Sequence, residues 1–249
     1  MNIGVVIAGA SALSEEQQFQ LDTVLDYVEQ QFKNKPVSIS NVGSEIWYEI
    51  QANARLRVVP YCGDVIATEL EKPPPFVWDD SSQTSQADWY MPYMKKYLPM
   101  NTQDYQLVDV ANHHPTMLNI KSLAKQLGYE FSGTTDVAIV IKQAAYVHQP
   151  AVGLRIVFLL KKKASREDYY HALITLLLSN QLSGSLKPMV VVTDLNEHYC
   201  FYWLDDRTIF HHIVDGPGMA LGLIKGCLHQ EHVTAFCQVQ PVQVCTHHP

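Results

Sequence analysis

Charge is scarce in this sequence, and basic charge scarcer still. Only 17% of the 249 residues are charged, and 18 Lys and Arg face 25 Asp and Glu, a formal charge of −7. Proteins that grip nucleic acid through phosphate neutralisation carry excess positive charge. Tight, non-specific DNA binding would have to rest here on a local patch against an unfavourable overall field. Cysteine is sparse too. Cys62, Cys200, Cys227, Cys237 and Cys245 form an odd, scattered set with no CxxC and no metal-ligand spacing. That argues against a disulfide framework and fits a reducing compartment. No apolar run reaches the roughly 18–20 residues that span a bilayer, so no membrane partner is expected. The opening "MNIGVVIAGASALSEE" lacks the basic n-region of a secretory signal and reads as a strand. No signal peptide is visible, so export would need a signal missing from this chain or an unconventional one.

Apolar residues are plentiful at 47%, enough for one large core or two small ones. "SEEQQFQLDTVLDYVEQQF" has the apolar spacing of an amphipathic helix with Ser14 as its N-cap. "KPVSISNV", "SEIWYEIQ" and "ARLRVVPYCGDVIATELE" read as strands or mixed structure. "KPPPF", Lys72 to Phe76, is the strongest punctuation in the chain, because three prolines continue neither a helix nor a ladder. It divides an N-terminal α/β module or extension, residues 1–72, from a larger domain, residues 73–249. Past it the order is a helix near Ser85 bent around Pro92, then "YQLVDVA", "TTDVAIVIK" and "GLRIVFLL" as strands. The long helix "SREDYYHALITLLLSNQLS" follows, then three strands from "KPMVVVTDL" to "RTIFHHIVD" and a last helix, "GPGMALGLIKGCL". Strands before and after a central helix predict an α/β fold with a small, partly parallel mixed sheet.

The strand "GLRIVFLL" ends abruptly on Lys161, Lys162 and Lys163. Asp136, in "SGTTDVAIV", opens the preceding strand. An acid and a lysine meeting across a cleft would let Asp136 hold Mg²⁺ while Lys161 steadies an attacking water or a phosphate. The plainer reading makes Asp136 a turn residue and the lysines a solvated strand end. Glu167 and Asp168 follow Ser165 as ordinary acids of a capped first helical turn. Asp194 in "VVVTDLNEH" suits a loop-capping role. The pairs His113–His114, His211–His212 and His247–His248 lack i,i+4 spacing and a nearby cysteine, which speaks against zinc. The aromatic "YCFYWL", Tyr199 to Leu204, fits base stacking or simply a half-buried strand.

From about Phe76 to Leu228 the chain resembles the C-terminal effector region of Crinkler-type proteins. "SGTTDVAIV", "VGLRIVFLLKKK", "ALITLLLSNQLS", "KPMVVVTDLNEHYCFYWL" and "GMALGLIKGCL" follow that family's order: a Gly-x-x-Asp strand, a Glu-x-Lys strand, an Ala/Leu-rich helix and an aromatic hairpin. The resemblance implies a restriction-endonuclease-like fold of the PD-(D/E)XK class, a mixed sheet flanked by helices with the small N-terminal extension added. It implies Asp136 as the metal-binding acid and Lys161 as the catalytic lysine. Leu159 occupies the place of the motif Glu, and an aliphatic side chain cannot ligate Mg²⁺. Asp88, on the helix after the proline run, is the nearest match to a further upstream acid.

The expectation is therefore a pseudonuclease, a Crinkler-like effector with Asp136 and Lys161 as remnants. It would be delivered into host cells, into the nucleus, and bind a host protein or nucleic acid without cofactor. The residues before Lys72 carry no LxLFLAK-type translocation header. The alternative is an active Mg²⁺-dependent DNA nuclease using Asp136, Lys161 and a relocated acid, for which Glu167 and Asp168 at the start of the following helix are within reach of Lys161. A third reading is a domesticated or mobile-element protein of the same fold with an intracellular structural role.

Overall fold

The computed structural model describes residues 35–63, 67–120, 128–163 and 165–229. The strand and the Ser14-capped helix expected before Lys35 lie outside the described residues, as do Cys237, Cys245 and His247–His248. In chain order the elements are β1 (Lys35–Ser38), α1 (Ser44–Ala54), β2 (Arg57–Pro60), α2 (Ala87–Tyr97) and β3 (Tyr105–Asp109). Next come the single turn α3 (Val110–His113), β4 (Tyr129–Ser132), β5 (Val137–Ile141), α4 (Lys142–Tyr146) and β6 (Leu154–Leu160). The chain then forms α5 (Arg166–Ser183), β7 (Met189–Thr193), β8 (His198–Asp205), β9 (Thr208–Asp215) and α6 (Pro217–His229).

The expected mixed α/β sheet flanked by helices is present. Seven strands order as β2-β9-β8-β7-β6-β5-β3, with β2/β9 and β6/β7 parallel and the other neighbours antiparallel. β1 and β4 form a separate parallel pair. Before the prolines, β2 joins the seven-stranded sheet, while Trp47 and Ile50 of α1 are buried in the same core as α5. "SEIWYEIQ", read from sequence as strand or mixed structure, is helical. Trp47 and Ile50 stand three residues apart on one buried face, a helical period that alternating strand geometry would have split.

All seven residues of β6 and all five of β7 are buried, which explains their unbroken apolar runs. Their side chains alternate between two cores. Val157 and Leu159 face α5, whereas Ile156, Phe158 and Leu160 face α2 and α6. α5 makes the crossover that lets β6 and β7 run parallel. It starts on a capping box in which Ser165 and Asp168 exchange bonds. A bulge interrupts β6 beside Val140 and turns Arg155 out of the ladder. Its buried guanidinium donates to the carbonyls of Cys227, at the end of α6, and Leu186.

The proline run is an extended strap that crosses to α2. Earlier, the backbone carbonyl of Thr68 passes so close to α6 that a Cβ on Gly222 would lie 2.2 Å from it. Asn196, in the β7–β8 turn, clamps the strap from both sides. It accepts from the Phe76 amide at 2.7 Å and donates to the Phe76 carbonyl at 3.1 Å. Trp78 Nε1 donates to the Asp194 carbonyl, and Tyr93 Oη to that of Pro74. Asn196→Ala is expected to cost about 1–2 kcal/mol by leaving the amide and carbonyl of Phe76 unmet. Chemical denaturation would register that loss, with limited proteolysis cutting near Phe76.

Candidate functional site

Asp136 stands immediately before β5 because the preceding turn demands glycine. Gly133 has φ +155°, and a Cβ there would sit 2.3 Å from Ile39 Cγ1. Thr135 donates its hydroxyl to the Phe158 carbonyl at 2.7 Å and so locks the turn to β6. The Asp136 carbonyl accepts from the Val110 and Ala111 amides, tying the same residue to the end of β3. Its partly buried carboxylate accepts from the Leu160 amide at 2.7 Å. Burial drives that carboxyl up to about 6, and Asp109 and Asp168 add to the rise. The Leu160 amide and Lys161 pull the other way without cancelling it.

Asp136 and Lys161 do reach the same end of the sheet, as the sequence led one to expect. Lys161, however, is engaged elsewhere. Its Nζ lies 2.9 Å from Asp168 Oδ1, with Lys161 only 21% and Asp168 12% exposed at the side chain. The other oxygen, Asp168 Oδ2, accepts from both the amide and the hydroxyl of Ser165. Burial raises the Asp168 carboxyl, but Lys161 and Ser165 together outweigh it and hold the group below its ordinary value. The acid of the capped helical turn is thus also the ion-pair partner of the lysine. Glu167 beside it is exposed.

Leu159 is 1% exposed, lies in the core shared with α5 and pairs across the sheet with Val192. A carboxylate there would enter an apolar core. The donor set does not fit a hard divalent ion, which takes several oxygens. Asp136 offers one carboxylate, the Leu159 position none, and both Asp168 oxygens are committed. Among the described residues no group of three or more His, Cys, Asp or Glu is arranged for a metal.

No protein-family model, curated protein or solved structure matches this chain. Among the described residues no helix is long and apolar enough to cross a membrane.

Asp88, the candidate upstream acid, is exposed on the first turn of α2. The same helix turns Tyr90 inward instead. Its hydroxyl is fully buried and has no hydrogen-bond partner. Burial raises its pKa, and the nearby charges of Asp109 and Asp136 raise it further, so the phenol stays protonated. On α5, burial and then Lys161 push His171 down to about 4 against the pull of Asp168, leaving a neutral ring. Tyr90, Asp109 and His171 went unread in the sequence. Asp109, closing "YQLVD", ends a strand as Asp136 opens one, and that symmetry was the available signal.

The remaining candidates are structural. Lys162 donates to the carbonyls of Asp79 and Ser81, and Gln83 to that of Leu160, so the loop before α2 is tied over the strand end. Asp194 caps its own turn, accepting from the Asn196 and His198 amides at 2.9 Å. Phe201 and Trp203 face one core and Tyr202 the other, so these rings fill the interior instead of offering stacking faces. His211 lies against Tyr169 and Tyr202, His212 against Tyr61; they diverge as neighbours on a strand must.

Proposed function

We propose that this chain is a Crinkler-like effector that works inside host cells by binding a host protein, on a nuclease-like scaffold whose hydrolytic centre has become structural. The carrying observation is the Lys161–Asp168 pair at 2.9 Å, which satisfies the amine a hydrolase would direct at water. Three features agree with it. Asp136 opens a strand beside Lys161 in the order the resemblance requires, Leu159 is sealed in the core, and the pair belongs to the cap of α5. A protein partner is favoured over nucleic acid by the charge of −7 and by the exposed acid Asp79, whose carboxyl feels the charge of Lys162.

The test pairs two measurements on one preparation. Incubation with DNA or RNA and Mg²⁺ or Mn²⁺ is expected to give no cleavage, and neither ion should raise the melting temperature. A pulldown from nuclear extract should retain a partner after the extract's nucleic acid has been digested. Loss of the partner on digestion would make nucleic acid the ligand.

One observation favours a second reading. Asp168 is an acid brought to Lys161 from a neighbouring helix, and Asp136 feels its charge. A nuclease with a relocated acid would show metal-stimulated cleavage that both Asp136→Ala and Asp168→Ala abolish, and that result would falsify the binding reading.

A further inference from the structure

We infer that α5 carries a buried water-binding file running from the Lys161–Asp168 pair into the core. Three side-chain atoms of this helix are buried without a hydrogen-bond partner: His171 Nε2, Thr175 Oγ1 and Ser179 Oγ. They recur every four residues, which sets them one above another on a single helix face. Thr175 and Ser179 are 0% exposed. Asp168 stands a turn before His171, so the row begins at the ion pair.

The row is selective. The intervening buried positions Ala172, Leu173, Ile174, Leu176 and Leu178 are all apolar. Ser183, a turn beyond Ser179, shows how a helical hydroxyl satisfies itself, by donating to the Ser179 carbonyl at 2.8 Å. Thr175 and Ser179 make no such bond. A polar atom shut away unpaired is costly, and native interiors meet that need with ordered water. Four residues rise about 6 Å along a helix. One water, with a hydrogen bond of about 2.8 Å on each side, bridges such a step. Water is thus the ligand, and two or three molecules in line would touch the three atoms in turn. Their chemistry matches: two hydroxyls that donate and accept, and a neutral imidazole nitrogen. The file gives Lys161–Asp168 a hydrated inner side, while Gln83 and Lys162 tie the loop over the outer one. It does not depend on whether the chain binds or cuts.

A crystal structure of the full chain, at a resolution that orders internal water, is the direct test. Waters within hydrogen-bond distance of at least two of the three atoms are expected. Thr175 and Ser179 hydroxyls bonded instead to the carbonyls of His171 and Thr175, in dry packing, would overturn the inference. Thr175→Val gives an independent reading, because it keeps shape and β-branching. With water bound, the melting temperature should fall by about 2–4 °C. An unchanged or higher melting temperature is the signature of a dry, orphaned hydroxyl, and would count against the file.

Discussion

Asp136→Asn is expected to stabilise the chain at pH 8 and to do almost nothing near pH 4. The Asp136 carboxyl is carried from its ordinary 3.8 to about 6, chiefly by burial. A carboxyl raised in the folded state favours folding while it is neutral. Its contribution is fully present below 3.8 and is lost as pH climbs through 6. Above that, ionised Asp136 costs up to about 3 kcal/mol relative to its neutral form, at 1.36 kcal/mol per unit. The substituted amide imitates the neutral state at every pH, and its carbonyl oxygen still accepts from the Leu160 amide. Partial solvent contact trims the gain to about 1–3 kcal/mol at pH 8. Urea unfolding of both proteins at the two pH values measures it, and a destabilised variant at pH 8 would show the charge to be structurally required.

Much of this arrangement was legible in the sequence, because local chemistry dictated it. The apolar run of β6 reads as a buried strand, Ser165 with its acids as the start of a helix, and Asp194 as the cap of its own loop. Asp136 and Lys161 were found through strand ends, since antiparallel neighbours bring the start of one beside the end of the other. What escaped notice depended on tertiary contact. α1 was misread because its helical period is short and its partner α5 lies far along the chain. Asp88 stands out in the sequence and Tyr90 does not, because charge shows there, whereas the rotation of a helix does not. Asp168 was recognised as a cap, correctly, but one carboxylate has two oxygens, and only the fold shows where the second points.

That second oxygen carries the other large effect. Lys161→Met is expected to cost about 2–3 kcal/mol, below the 3–5 typical of a fully buried pair because the lysine keeps some solvent contact. Met preserves the apolar stem and removes only the charge, so the loss reports on Asp168 left without its cation. Asp168→Asn alone loses the pair and part of the capping box. In Lys161→Met/Asp168→Asn neither charge remains to be stranded, and the double variant should be less destabilised than the two single losses added, with a coupling of about 1–2 kcal/mol. The pH dependence runs opposite to that of Asp136. Asp168 is held below its ordinary value, so its contribution is present above 3.8 and fades as acid protonates it. The coupling measured at pH 7 should accordingly disappear toward pH 2. A cycle between Lys161→Met and Asp136→Asn provides the contrast. An amine committed to Asp168 couples weakly to Asp136, whereas an amine poised over a hydrolytic centre couples to it strongly. Strong coupling to Asp136 with none to Asp168 would return Lys161 to the catalytic role that its place at the strand end invites.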